Sequence, residues 1–467
     1  MRLQFFGAAR SVSGSLHVVE SGRQRWLLDC GLYQGRRQDM YDRNAALPRP
    51  ATAVHGVLLS HAHVDHSGRL PRLVHEGFRG PIYATRATID LCELLLADSA
   101  YVLRSQTALL NQRRARRGLP PLPDLYDDGD VALTLAQMVP VEWDATVTLG
   151  PTLAAVFRPA GHILGASMIE LHERTRDDAC VLTYSGDLGR ETNWVLPNPA
   201  VPARSSYVLL ESTYGDRIHR PYAYARSELA RCVRTTLEHG GVVVVPAFSV
   251  GRTQRLIYEL RELMDEGGIP ETTIYLDSPL SIEALRSFVA HQSAWHADVD
   301  GDAIVGRLDC SPVVSAEESA QLVATPGPYI VVTASGMCEA GRVLHHLQRN
   351  LPRRDARIIF VGFCAEDTLG RLLIDGVQDV RISGETIKVN AAIDYFDTFS
   401  AHADQEGLRD WVAAQADVAG VFLVHGEERQ SFALAEKLEQ DGREEIVVPF
   451  AGEAFELSSR GMHSAVQ

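Results

Sequence analysis

The 467-residue chain is nearly without lysine: Lys388 and Lys437 are the only two, and arginine carries the rest of the positive charge. No site logic asks for arginine at every such position, so the bias reads as background composition. Long apolar runs are missing too. The longest, Val242–Phe248, falls far short of the ~20 residues of a membrane-spanning helix. The N-terminus, MRLQFFGAARSVSGS, has neither the apolar stretch nor the cleavage pattern of a secretion signal. The seven cysteines (30, 92, 180, 232, 310, 338 and 364) are scattered, odd in number and without a CxxC pair. That speaks against a disulfide framework and fits a reducing compartment, so a cytoplasmic location and no membrane partner are expected. Repeats and low-complexity segments are absent as well. What remains is ordinary globular composition, 45% hydrophobic and 22% charged, over a length that suits two to four domains.

Charge is unevenly spread. The net value is −15, which by itself argues against a nucleic-acid partner. Arg381–Gln467 holds 7 basic and 16 acidic residues, a net of −9. Ser99–Pro123 is the opposite, with Arg104, Arg113, Arg114, Arg116 and Arg117 and no acid. Its QRRARRG run (112–118) has two readings, a solvated loop or a contact for RNA.

The first part of the chain reads as short strands and turns: Leu3–Phe6, His17–Glu20, Arg25–Asp29 and Val54–Ser60. Helical spacing of leucines covers Arg86–Gln112 and ends before GLPPLP (118–123). Further strands are predicted at Val181–Tyr184 and Tyr207–Leu210. Then the texture changes. Gly240–Phe248 is a continuous apolar run followed by a helical stretch, Thr253–Met264. Ile274–Leu276, Tyr329–Thr333 and Arg357–Val361 repeat that alternation, the pattern of a parallel α/β unit. A strand (Val421–Val424) and a helix (Gln430–Gln440) close the chain.

The densest chemistry is HAHVDH at 61–66, directly after an apolar strand. His61 and His63 are two apart, so an extended backbone projects them to one face. Asp65 and His66 follow where a helix can begin. Three imidazoles and a carboxylate within six residues suit zinc or a similar divalent ion.

HAHVDH resembles the signature of the metallo-β-lactamase superfamily. The rest of the pattern follows in order: Asp29 after an apolar strand, Gly161-His162 in GHILGA, and Asp187 in SGDLG. Beyond these come Glu211 in ESTYG, His402 in FSAHAD and His425 in LVHGE, with some 180 residues between the first two. This resembles motifs A, B and C of the β-CASP nucleases. That subgroup includes the endonuclease subunit of the cleavage and polyadenylation specificity factor, RNase J and the Artemis-type DNA nucleases. PAFSVGRTQ (246–254), TASGMCEAGR (333–342) and VGFCAEDTLGR (361–371) are similar to stretches of the family's insert. Only about Asp98–Glu142 and the last few residues carry no assignable motif.

The resemblance implies an α/β fold, a metallo-β-lactamase αββα sandwich (1–211 and 395–467) with an inserted α/β β-CASP domain (212–394). It implies two zinc ions, with manganese acceptable to the same ligands. His61, His63 and His162 hold one metal and Asp65, His66 and His425 the other, and Asp187 bridges them. Asp29 orients the ligand loop from behind. Two metals clamp a phosphodiester and activate water, leaving His402 as general acid for the departing 3′ oxygen, with Glu211 behind it. The products are a 5′-phosphate and a 3′-hydroxyl. RNA nucleases of the family resemble one another in having a histidine at motif C, whereas the DNA nucleases have an apolar residue; His425 therefore points to RNA. The expected partner is a single-stranded RNA substrate.

Ser335, Gly336 and Met337 follow an apolar strand, and small residues there let backbone N–H groups approach a phosphate; the alternative is a plain strand-to-helix turn. Arg252 and Arg342 are candidate phosphate contacts, or solvated helix residues. Phe363-Cys364 stands where relatives often have Tyr-Gln or Tyr-Cys, with no catalytic effect expected. The absence of an RNase J-type appended domain or a preceding KH-like domain favours an endonuclease over a 5′-exonuclease. A thioester or lactone hydrolase on the same metal core is disfavoured by the insert, Glu211 and His402. Complete ligands disfavour a non-catalytic scaffold. A homodimer is a further expectation.

Overall fold

The computed structural model describes the chain except residues 35–36, 48–49, 177, 191–194, 297, 363, 365–366 and 466–467 and the side chains of 37–39. The chain divides into two units, Met1–Ile218 with His402–Gln467, and His219–Ala401. The junctions expected at 211/212 and 394/395 lie slightly ahead of these.

Among the described residues the first unit holds an eight-stranded and a seven-stranded sheet. In the larger one, Gln24–Leu28, Gly56–Leu58, Ile82–Thr85 and Met138–Val141 run parallel. Arg2–Gly7 and Leu16–Ser21 continue it antiparallel. In the smaller one, Ala179–Tyr184, Tyr207–Glu211 and Gly420–Val424 run parallel, beside the hairpin Leu153–Pro159/Ser167–Arg174. The two-residue period of a strand explains the layering. Tyr207 and Leu209 join Phe5, Leu28, Phe157 and Phe422 in the core between the sheets. Val208 and Leu210 point the other way and meet Leu408, Trp411 and Leu434 of helices Gln405–Ala413 and Glu428–Gln440. Helix Arg86–Ala115 packs on strands Ile82–Thr85 and Met138–Val141 of the other sheet. The result is the αββα sandwich.

The second unit is built around a six-stranded parallel sheet. Its central strand, Val242–Pro246, explains the unbroken GGVVVVPAF run, because both faces are covered. Val243 and Val245 pack with Leu229, Val233, Leu256 and Leu260 on one side. Val242 and Val244 pack with Val343, Leu347 and Leu373 on the other. The predicted strands Ile274–Leu276 and Tyr329–Thr333 occur with those bounds. Among the described residues no helix is long and apolar enough to cross a membrane.

Candidate metal centre

The residues of the HAHVDH-led pattern sit at or just past the carboxyl end of a strand, or in a turn beside one, except His402, which lies just ahead of helix Gln405–Ala413. Asp29 follows Gln24–Leu28 and His425 follows Gly420–Val424, both in the left-handed region at φ +60° and +51°. That conformation costs energy for a non-glycine residue and persists only where the surroundings impose it. His61 and His63 leave Gly56–Leu58, and Asp65 and His66 lie in the one-turn helix Val64–Ser67. His162 is in the loop of the Leu153–Pro159/Ser167–Arg174 hairpin, Asp187 follows Ala179–Tyr184, and Glu211 ends its own strand. Gly186, beside Asp187, has φ +53°, and a Cβ there would meet the Ser60 side chain at 2.9 Å.

These turns bring the side chains together. His61, His63, His162 and Asp187 offer ligand atoms all within 4.8 Å of one another, as do Asp65, His66 and His425. Asp187 faces both groups. Its Oδ2 is 3.5 Å from His61 Nε2 and from His162 Nε2. Its Oδ1 is 3.2 Å from His66 Nε2 and 3.5 Å from His425 Nδ1. Beside them stands a separate pair. His402 Nδ1 lies 3.0 and 3.1 Å from the two Glu211 oxygens, and its Nε2 is 3.9 Å from Asp187 Oδ2.

The partners behind the imidazoles fix which nitrogens carry protons. Asp29 accepts from the Ser60 backbone N–H (2.7 Å), Ser60 Oγ (2.7 Å), Tyr184 OH (2.6 Å) and His66 Nδ1 (2.6 Å). In the neutral ring His66 Nε2 is thereby left as a lone pair, 3.2 Å from Asp187 Oδ1. Ser60 Oγ, having given its proton to Asp29, accepts from His61 Nδ1 at 3.0 Å, so His61 Nε2 is a lone pair too. Thr213 Oγ1 donates to the His425 carbonyl (2.9 Å) and accepts from His425 Nδ1 (3.1 Å), which leaves His425 Nε2 bare. His66 Nε2 and His425 Nε2 then stand 3.0 Å apart, and His61 Nε2 stands 3.1 Å from His63 Nδ1. Asp187 Oδ1 is buried and makes no hydrogen bond among the described residues. Converging lone pairs and carboxylate oxygens repel one another unless a cation lies between them. The donor set of nitrogen and carboxylate ligands, backed by hydrogen-bonding partners, fits zinc-like divalent ions.

The electrostatics agree. Burial alone would raise the Asp187 carboxyl, but His425, His66, His61 and His402 hold it well below the usual carboxylate range. Burial likewise opposes ionisation of Asp65, yet His425, whose Nε2 is 3.5 Å from Oδ2, and the nearby His66 draw it down to about 2. His66 is buried, which disfavours its charge, but Asp187 and Asp29 raise it well above the ordinary imidazole value. Burial and the neighbouring His66 push His61 well below that value. A field that draws protons onto some imidazoles draws divalent cations in their place.

The substrate candidates of the second unit fare differently. Gly336 packs so closely on Phe248 that a Cβ would meet the ring at 2.8 Å, and the Met337 carbonyl accepts from Gly370 N–H at 3.0 Å. Ser335 Oγ accepts from Glu339 N–H at 3.2 Å. The next helix begins only at Val343, so Ser335–Met337 is not its first turn. Arg252 opens helix Arg252–Asp265 with its guanidinium over the Phe248 ring, and its Nη1 is buried without a hydrogen bond among the described residues. Arg342 is fully engaged: it donates to Asp277 and to the Val313 and Val314 carbonyls, each at 2.8 Å. Of the Phe363-Cys364 pair, Phe363 lies outside the described residues.

Sequence reasoning missed the residues behind the ligands: Ser60, Tyr184 and Thr213. Ser60 and Tyr184 adjoin motifs and Thr213 lies within ESTYG, but nothing in the pattern distinguishes them. His17 was missed as well. It is fully buried against the Phe5 and Tyr184 rings, and burial with His66 and His425 nearby pushes it down to about 3.

An αββα sandwich carrying such a centre, interrupted by a parallel α/β unit, is the build of a metal-dependent hydrolase. Residues 11–164 match the metallo-beta-lactamase superfamily, 253–373 the Beta-Casp domain, and 386–449 the Zn-dependent metallo-hydrolase RNA specificity domain. The chain is 36% identical to Ribonuclease TTHA0252 of Thermus thermophilus, over 96% of this chain and 99% of that protein. It is 29% identical to Transcription termination factor FttA of Methanosarcina mazei, over 93% of this chain and 68% of that protein. The FttA of Methanocaldococcus jannaschii is also 29% identical, over 98% and 72%. A crystal structure of a protein of unknown function from Enterococcus faecalis V583 shares the fold at a TM-score of 0.53 and 14% identity, covering 98% of this chain and 99% of that one. The chain belongs to the β-CASP family of the metallo-β-lactamase superfamily.

Proposed function

We propose that this chain is a metal-dependent endoribonuclease that hydrolyses internal phosphodiesters of single-stranded RNA and leaves 5′-phosphate and 3′-hydroxyl ends. The observation that carries the reading is the adjacency of two constellations: a ring of metal-type ligands around Asp187 and, 3.9 Å from its Oδ2, an imidazole backed by a buried carboxylate. His61, His63 and His162 would hold one cation and Asp65, His66 and His425 the other, with an Asp187 oxygen facing each group. Zinc suits the set, and manganese fits it too. Two such cations supply Lewis acidity toward a phosphodiester and a hydroxide nucleophile near neutral pH.

The chain's own residues do the rest. Asp29, Ser60 and Thr213 keep the ligand imidazoles in the tautomers that face the ions. Glu211 takes the proton-bearing Nδ1 of His402, so Nε2 is the nitrogen presented toward Asp187 and the reacting phosphate. As the bond from phosphorus to the 3′ oxygen breaks, His402 Nε2 gives its proton to that oxygen and becomes neutral. Glu211 stabilises the imidazolium before transfer, and the Leu188 N–H, 2.6 Å from its Oε1, holds it in place. General acid catalysis of this kind contributes about 10²–10⁴-fold. Water, not the 2′-hydroxyl, is the nucleophile, so the preference for RNA rests on other support: the match at 386–449 to an RNA specificity domain and the similarity to a protein named a ribonuclease.

The test is cleavage of circular and end-labelled linear RNA by metal-supplemented protein, with mapping of cut positions and end groups. Internal fragments from circles, bearing 5′-phosphates, are the expected result. Inert circles with nucleotides released only from 5′ ends would replace the endonuclease by an exonuclease. Thioester hydrolysis that survives His402→Ala, with no RNA cleavage, would overturn the ribonuclease altogether.

A further inference from the structure

The acid-free stretch Ser99–Pro123 has no part in the reaction just described, and its structure is more definite than a charged loop. Helix Arg86–Ala115 carries Arg113 and Arg114 in its last turn, and Arg116 caps it in helical conformation at φ −62° and ψ −17°. The chain then reverses at Gly118, φ +68°. Three sets of bonds tie the turn down. Leu119 N–H donates to the Arg114 carbonyl at 3.0 Å, and Arg114 Nε donates to the Pro120 carbonyl at 2.8 Å. The Asn111 amide clips Leu122 from both sides, at 2.9 and 2.7 Å.

Arg113, Arg116 and Arg117 project from this fixed turn into solvent. Among the described residues none of them, nor Arg114, is ion-paired with a carboxylate. Other arginines do reach acids: Arg226 meets Glu259, Glu262 and Glu266, and Arg104, on the same helix, is paired with Asp128. The helix dipole accounts for one or two cations at a C-terminal end, and Arg114 already serves the local carbonyls. Arg113 with Arg116 and Arg117 are like charges at helical spacings of three and four, which repel. A polyanion relieves that repulsion. The start of the helix touches the metal centre's surroundings, since Thr85 and Thr88 donate to the Gly165 carbonyl in the loop that carries His162. Its arginine end is therefore about 40 Å from that loop at 1.5 Å per residue.

We propose that the Arg113–Arg117 turn is a second contact for the substrate: a site for consecutive backbone phosphates of a single-stranded RNA long enough to extend from the metal centre along helix Arg86–Ala115. The inference rests on the ribonuclease reading. It assigns the turn a sequence-independent, electrostatic role, with affinity drawn from released counterions.

The test is the triple variant Arg113→Gln/Arg116→Gln/Arg117→Gln in metal-loaded protein. Binding of a labelled RNA of about 25 nucleotides is followed by anisotropy across a salt series, in a His402→Ala background that slows cleavage; RNA sites span on the order of 4–16 nucleotides per contact surface. The slope of log affinity against log salt is expected to fall by about 2, three contacts at about 0.7 each. The corresponding triple lysine variant should retain the slope. With His402 intact, kcat/KM on a tetranucleotide should be unchanged while KM for the long strand rises. An unaltered salt slope, or an equal loss on both lengths, would overturn the proposal. So would an unchanged RNA affinity with altered self-association in sedimentation, which would make the turn a contact between copies. Wild-type protein that neither binds nor cuts RNA refutes the ribonuclease reading; wild-type cleavage with an unaltered slope in the variant refutes only the role of this turn.

Discussion

Two buried aspartates, one in each unit, both have histidine beside them and end in opposite states. Asp277 follows strand Ile274–Leu276 and is fully buried. It accepts hydrogen bonds from Ser319 Oγ (2.6 Å), His346 Nε2 (2.7 Å) and Arg342 Nη1 (2.8 Å). Burial would raise its carboxyl, but His346, Ser319 and Arg342 hold it below the usual range. Asp187 is equally enclosed, yet in their neutral forms His66 and His61 turn lone pairs toward it, because Asp29 and Ser60 take their protons from behind. Three donors meet the carboxylate at Asp277. At Asp187, Oδ1 is buried and makes no hydrogen bond among the described residues. A hydrogen-bonded carboxylate of this kind is a structural ion cluster; one left bare among imidazoles suits a metal centre.

The comparison breaks most visibly at its centre. Asp187→Ala should lose bound metal and at least about 10³-fold in activity together, since the ions supply several kcal/mol of transition-state stabilisation. Metal analysis of the purified variant beside its RNA cleavage rate checks this, and full metal occupancy would contradict the assignment of Asp187 to both groups. His402→Ala should separate the two readouts, with metal retained and kcat lower by about 10²–10⁴-fold. Metal loss in that variant would move His402 into the ligand set.

Asp277→Ala should do the reverse: metal content unchanged, stability lower by about 3–5 kcal/mol, because Arg342 and buried His346 lose the charge that satisfies them. Urea unfolding measures it. The pH dependence follows from the lowered carboxyl. A carboxylate whose folded pKa is depressed stabilises fully above its unfolded value, about 3.9 for aspartate, and the stabilisation is lost as pH falls through the folded value. The stability gap between wild type and Asp277→Asn should therefore hold constant from neutrality to about pH 5 and shrink below about pH 4. A gap that widens in acid would mean that Asp277 is not held as the anion.

The same contrast explains what the sequence could disclose. The candidate ligands are legible because each lies in a short local motif close to a strand, and the parallel sheet is legible because valines at 242–245 alternate between two covered faces. Arg342 looked like an anion contact because its partner, Asp277, is 65 residues away. Ser60, Tyr184 and Thr213 were passed over for the same reason: what gives them meaning, Asp29 or His425, lies 31, 155 and 212 residues distant. Strands Met138–Val141 and Thr146–Thr148 are not legible in the sequence because they are short, partly exposed sheet edges.

Thr213→Val gives the smallest and most discriminating effect. Valine keeps the shape of threonine and removes one oxygen. In the wild type that oxygen accepts from His425 Nδ1 and so commits Nε2 to the ion group formed with Asp65 and His66. Without it, His425 can carry its proton on either nitrogen, and the ring loses the restraint that aims it. Loss of such a partner behind a ligand typically costs 10–100-fold in metal affinity or activity. The weakening should be confined to one of two bound ions: competition with a chelator should release one metal per chain at lower chelator concentration and leave the other, held by His61, His63 and His162, as tight as before. Both ions weakening alike would show that the two groups around Asp187 act as one site; neither weakening would show that the tautomer of His425 is set elsewhere.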